Sequence, residues 1–121
     1  MNLDCDIFVA DSEDYEAIQN FVKQTKVVLS AAGPFARYST KVVEACVECK
    51  THYTDITGEN HWVKGLIDRF HEKAALDGTR IIPSCGYDSI PSDMGVYFSV
   101  TRSQKPVSHV TVYHSAKGGA S

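Results

Sequence analysis

The sequence predicts an α/β fold built on a parallel sheet, and three observations carry that prediction. Short apolar runs at Ile7–Ala10, Val27–Ala32, Tyr53–Ile56 and Ile81–Ser84 each end in a burst of Gly, Pro or Asp. The bursts are Asp11-Ser12-Glu13-Asp14, Gly33-Pro34-Phe35, Asp55-Ile56-Thr57-Gly58-Glu59 and Cys85-Gly86-Tyr87-Asp88-Ser89-Ile90-Pro91. Each burst then feeds a segment with apolar residues three or four apart, the spacing of one helical face. Strand–helix alternation of this kind describes parallel strands joined by crossover helices. All strands of such a sheet end at one edge, so the bursts line a single crevice, where open α/β sheets bind ligands.

Cys5–Ala10 is β-branched and aromatic and stops at Asp11. Asp11 or Ser12 caps the next helix, whose apolar face is Tyr15, Ile18, Phe21 and Val22. Val27–Ala32 is apolar throughout, as strands covered on both faces tend to be. Ser39 or Thr40 caps a helix with Val42, Val43, Cys46 and Val47 inward. After the strand Tyr53–Ile56, a long helix from about Glu59 to Leu76 buries Trp62, Val63, Leu66, Ile67, Phe70 and Ala74. Asp77-Gly78 stops it, because glycine accepts the left-handed conformation at little cost.

Arg80–Ser84 is the fourth strand. Ser89-Ile90-Pro91-Ser92-Asp93 starts a helix: proline tolerates the first turn and a carboxylate there meets the dipole. Met94, Tyr97, Phe98 and Val100 of that helix are expected to pack inward. His109–His114 alternates as a half-exposed strand of a different sheet would.

The chain has 121 residues, 43% of them hydrophobic and 22% charged, which suits one domain or less of a globular protein. A net charge of −3 gives no field for nucleic acid or an anionic membrane. Met1-Asn2-Leu3-Asp4 lacks the basic segment and apolar core of a signal peptide. Cys5, Cys46, Cys49 and Cys85 read as thiols of a reducing compartment, so a cytoplasmic location is expected. A dinucleotide-binding fold normally opens with Gly-x-Gly-x-x-Gly after its first strand, and none occurs here. Either the fold does not hold a dinucleotide in that way, or the chain begins late.

Several stretches resemble the saccharopine dehydrogenase-like oxidoreductases, a group that includes the trans-acting enoyl reductases. They are Lys26–Phe35, Val42-Val43-Glu44-Ala45-Cys46, His52–Glu59 and Cys85-Gly86-Tyr87-Asp88-Ser89-Ile90-Pro91-Ser92-Asp93-Met94-Gly95. The last is long, ordered and unusual in composition. The resemblance implies a partial Rossmann-type parallel sheet, strands 3 to 6, followed by the first strand of a second α/β domain. Residues 1–104 would be the C-terminal part of an NAD(P)-binding domain and 105–121 the start of a truncated second domain, with Lys117–Ser121 opening a further Gly-rich stretch. The first two strands, the Gly-rich turn and most of the second domain would be absent. The strand at 27–32 is then expected to show an exposed edge, or to have Cys5–Ala10 collapsed onto it.

By the same resemblance, Asp11 lies near the adenosine half of the cofactor, with helix capping the simpler reading. Ala32, Gly33, Pro34 and Phe35 pass its phosphate and nicotinamide-ribose region, and Cys85 and Gly86 meet the nicotinamide edge. Asp55, Glu59, Tyr87, Asp88 and Ser89 are candidates for substrate contact. For Asp55 and Glu59 the competing role is capping and dipole compensation; for the 85–91 stretch it is a rigid turn without chemistry. No catalytic acid is assigned. Cys46-x-x-Cys49 lacks the further ligands a zinc site needs and sits within a helix pattern.

The expected parent is an NAD(P)-dependent oxidoreductase that transfers hydride, in one form to an enoyl group of a lipid-like substrate, with this segment inactive alone. Its partners would be a small-molecule substrate and no nucleic acid, with membrane or lipid-droplet association reserved for the longer parent. The alternative is a non-catalytic interaction module that self-associates through an unpaired strand edge.

Overall fold

A computed structural model describes residues 5–115 of the chain. Internal contacts divide the chain into two compact units, Met1–Gly86 and Tyr87–Ser121. The first unit holds three parallel strands, β1 (Val27–Ser30), β2 (His52–Asp55) and β3 (Ile81–Ile82), in the order β1-β2-β3. The register pairs Val28 with Tyr53, Ser30 with Asp55 and Tyr53 with Ile81. The helices are α1 (Tyr15–Val22), α2 (Phe35–Tyr38), α3 (Thr40–Cys49) and α4 (Asn60–Asp77). The second unit contains α5 (Ile90–Thr101). Alternating strands and helices with parallel pairing make this the α/β class that the sequence predicts. No helix among the described residues is long and apolar enough to cross a membrane.

The core lies between the strands and α1, α3 and α4. Ile18 and Val22 of α1, Val43, Ala45 and Cys46 of α3, Tyr53 of β2, and Trp62 and Leu66 of α4 form one buried cluster. Glu48 on α3 accepts hydrogen bonds from Tyr15 Oη at 2.8 Å and Gln19 Nε2 at 2.7 Å, which pins α1 to α3. Strand side chains alternate faces. Val28, Tyr53 and Asp55 turn towards the helices, while Val27, Leu29 and Ile82 remain 50%, 70% and 51% exposed.

Several expectations are corrected. Cys5–Ala10 forms no strand, and Ile7 and Val9 are 86% and 95% exposed. Its β-branched residues favour an extended backbone, but a strand exists only where a neighbour takes its N–H and C=O groups. The strand 27–32 ends at Ser30 and is covered on one face only. Beyond it the chain turns through a cis Gly33–Pro34 peptide into α2, which the sequence did not announce. The strand 80–84 shrinks to Ile81–Ile82, because Pro83 has no N–H to donate and Ser84 adopts φ 61°.

Asp14, not Asp11 or Ser12, caps α1, accepting from Ala17 N at 3.0 Å. Ile67 of α4 is 52% exposed. Gly78 ends α4 at φ 71°, as expected. In the second unit α5 starts at Ile90, yet none of its residues is buried, and Tyr97 and Phe98 stay 57% and 45% exposed. Residues His109–His114 form no strand and are exposed. The expected Gly-rich stretch Lys117–Ser121 lies outside the described residues.

Candidate functional site

Parallel strands bring the loops after β1, β2 and β3 to one edge of the first unit. These loops run over residues 31–36, 56–59 and 83–86. Two carboxylates of the β2 segment link them. Asp55 ends β2 and is 1% exposed. Its Oδ1 accepts from Thr57 N at 3.0 Å and from Ser84 N at 2.8 Å, and its Oδ2 accepts from Tyr53 Oη at 2.9 Å. The Asp55 carbonyl accepts from Cys85 N at 2.7 Å. One residue thus shapes its own loop and anchors the loop after β3.

Glu59 does the same towards the loop after β1. Its carboxylate accepts from Phe35 N at 2.7 Å and from Ala36 N at 3.0 Å, closing the start of α2. Thr57 joins the two systems, since its Oγ1 accepts from Glu59 N at 3.0 Å. Beneath them Ser30 and Ser39 hydroxyls lie 3.3 Å apart, Trp62 Nε1 donates to Thr40 Oγ1 at 2.9 Å, and the Phe35 and Trp62 rings stack at 6.1 Å. Burial, ahead of the neighbouring Asp55 charge, pushes the Tyr53 phenol above its ordinary range, so it remains a hydrogen-bond donor.

The loops also touch directly. A Cβ placed on Gly86 would sit 3.1 Å from Ile56 Cβ, tighter than such contacts ordinarily are. Glycine therefore lets the loops after β2 and β3 meet. Towards solvent the edge presents small groups: Ala31, Ala32, Gly33, Pro34 and Gly58 are exposed. Cys85 is also exposed, its thiol directed to the Ile82 carbonyl at 3.3 Å.

The structure thus brings together Ala32, Gly33, Pro34, Phe35, Asp55, Glu59, Cys85 and Gly86. Phe35 is buried against Trp62 instead of facing solvent. Asp11 is exposed and bonds locally, accepting from Glu13 N at 2.8 Å and Asp14 N at 3.0 Å. Tyr87, Asp88 and Ser89 belong to the second unit, where Tyr87 is 87% exposed and Ser89 is the N-cap residue of α5. The pairing of Glu59 with the start of α2 escaped sequence reasoning. Its only sequence trace is Pro34, which marks a turn but not the donor groups behind it.

Among the described residues no group of three or more His, Cys, Asp or Glu is placed to hold a metal ion. Cys46 is buried in α3, and burial, reinforced by Cys49, pushes its thiol up to about 12, the opposite of an activated cysteine. An apolar groove of about 330 Å³ lies between α4 and β3, lined by Leu66, Phe70, Ala74 and Ile81 among others. It runs along the flank of the sheet and contains none of the residues that link the loops.

The saccharopine dehydrogenase NADP binding domain family matches residues 2–82. A trans-acting enoyl reductase of Mycobacterium tuberculosis (strain ATCC 25618 / H37Rv) is 40% identical over 100 residues, covering 83% of this chain and 24% of the relative. The trans-acting enoyl reductase of Mycobacterium leprae (strain TN) is 40% identical over 94 residues, with 78% and 22% covered. That of Mycobacterium ulcerans (strain Agy99) is 38% identical over 94 residues, with the same coverage. The chain spans about a quarter of the length of these curated relatives. No solved structure matches it.

Proposed function

The chain belongs to the family of the saccharopine dehydrogenase NADP-binding domain, and from that premise we propose that its crevice forms the nicotinamide side of an NAD(P) site in an oxidoreductase. The observation that carries this reading is the convergence of the 31–36, 56–59 and 83–86 loops at the carboxyl edge of a parallel sheet. The residues present fit that end of the cofactor. Exposed Ala31, Ala32, Gly33 and Gly58 let a flat ring approach backbone, and Cys85 and Gly86 border it on the β3 side.

The same geometry disfavours the pyrophosphate at this point. The Phe35 and Ala36 amides, the natural donors to an anion at the start of α2, are already held by Glu59. The nicotinamide supplies the hydride when bound; the chain's own part is to hold the loops that receive the ring. By analogy with the trans-acting enoyl reductases, the acceptor would be an enoyl group on a lipid-like substrate. In isolation the segment would bind the cofactor weakly and be inactive. Domain limits of 1–104 for the cofactor domain and 105–121 for the second domain belong to this reading.

The test is a titration of the 121-residue chain with NADPH and NADH, followed by backbone amide NMR. The expected result is saturable, weak shifts concentrated at Ala32, Gly33, Cys85 and Gly86. Absence of shifts there, or shifts scattered over α1 and α4, would overturn the reading.

One observation favours a second reading. β1 pairs only with β2 among the described residues, and Val27 and Leu29 are exposed on its uncovered face beside that free edge. An apolar edge of this kind recruits another strand, which would make the chain a non-catalytic interaction module.

A further inference from the structure

We propose that Glu59 is a positioning residue of the cofactor crevice: it fixes the Gly33–Ala36 turn through two backbone amides and does not contact the cofactor. This rests on the nicotinamide reading above. A carboxylate at the mouth of a cleft invites assignment to ligand binding, but both Glu59 oxygens are already used. Oε1 accepts from Phe35 N at 2.7 Å and Oε2 from Ala36 N at 3.0 Å. Charge-assisted bonds of this length are among the stronger ones in proteins.

Glu59 is itself oriented from behind. Its own N–H donates to Thr57 Oγ1, and Thr57 N donates to buried Asp55, which also holds Ser84 N. A continuous series of hydrogen bonds therefore runs from the loop after β3, through the loop after β2, to the loop after β1. Removing Glu59 from the Phe35 and Ala36 amides to serve a ligand would leave two donors without partners at the start of α2. The arrangement favours holding over touching. The turn it holds contains Gly33 and Pro34, both exposed, so its shape depends on the amides that follow.

The test compares wild type with Glu59→Gln, which keeps side-chain length but turns one acceptor into a donor facing an N–H. Amide hydrogen exchange is read without and with NADPH, and NADPH affinity is taken from the NMR titration well below the unfolding temperature. Without ligand, Phe35 and Ala36 should exchange about tenfold faster in the variant, while Val43 and Tyr53 stay protected. NADPH should bind the folded variant about tenfold more weakly, and in wild type the Phe35 and Ala36 amides should stay protected in the complex.

Faster exchange of those amides when NADPH binds wild type would show that Glu59 leaves them for the ligand, and would overturn the proposal. So would an unchanged NADPH affinity in a folded variant, which would reduce Glu59 to a merely structural role. If wild type shows no response to NADPH, the cofactor reading falls, while the exchange comparison without ligand still decides whether Glu59 holds the turn. Should Glu59→Gln fail to fold, Glu59→Asp serves in its place, because the shortened side chain cannot span both amides.

Discussion

The Tyr53 phenol donates to Asp55 Oδ2 at 2.9 Å, and both residues are only 1% exposed. They stand two apart on β2, so strand geometry turns both side chains to the same, helix-covered face. A carboxylate in that position is tolerable because three hydrogen-bond donors reach it, the phenol, Thr57 N and Ser84 N, while Cys85 N satisfies the backbone carbonyl of the same residue.

Tyr53→Phe removes one donor and leaves a buried carboxylate short of a partner. It should cost about 1–3 kcal/mol, read as a lower urea midpoint with an unchanged slope. An unchanged midpoint would show that water replaces the phenol. The phenol adds a pH signature. Its folded-state value is raised above the ordinary 10.0, chiefly by burial, so the neutral form is the one folding favours. Its contribution is complete below about pH 10 and is lost as pH rises further; the Phe variant should lose that part of the alkaline slope.

Cysteine reactivity separates the thiols. Cys5 and Cys85 are exposed, whereas Cys46 is buried with its thiol raised from 9.0 to about 12. At pH 8 Cys46 therefore stays a neutral thiol even before access is considered. Cys5 and Cys85 should therefore react promptly with a thiol-specific disulfide reagent, and Cys46 only on unfolding. Rapid labelling of Cys46 in the native chain would contradict its packing. The raised value also means that the stabilisation it represents is intact below pH 9 and erodes between about pH 9 and pH 12.

What the sequence made legible follows from locality. The helical faces of α1 and α3, the Gly78 stop and the three parallel strands are each written within a few residues, in apolar spacing or in a turn residue. Long-range partners are not. Glu59 reads locally as dipole compensation for α4, yet its carboxylate caps α2, 24 residues earlier. Asp55 shows as a strand-end carboxylate, but its role depends on Ser84, 29 residues later. Cys5–Ala10 has the composition of a strand and lacks only a neighbour, which composition cannot reveal. Ser39 is the N-cap residue of α3, as its sequence position suggests, but its hydroxyl makes no cap bond and lies buried 3.3 Å from that of Ser30.

Gly86→Ala tests the closeness of two crevice loops. The new methyl would meet Ile56 Cβ at 3.1 Å, so the two loops must give by a few tenths of an ångström to admit it. A loss of about 1–3 kcal/mol is expected from thermal or urea unfolding. Ile56→Ala should not rescue it, since the clashing Cβ remains, whereas Ile56→Gly should recover part of the loss. Equal rescue by both would place the conflict elsewhere.

The open edge of β1 makes the interaction reading testable by one charge. Val27 and Leu29 project from the uncovered face at 50% and 70% exposure, and among the described residues β1 has a hydrogen-bonded neighbour on one side only. Unpaired N–H and C=O groups beside apolar side chains favour strand addition, and lysine on an edge opposes it, because pairing would bury or crowd its ammonium. If the chain self-associates there, its sedimentation coefficient should rise with concentration. Leu29→Lys should return it to the monomer value without lowering the urea midpoint, because Leu29 contributes little to the core. Concentration-independent sedimentation of wild type would remove the interaction reading. Association that survives Leu29→Lys would relocate it to another surface.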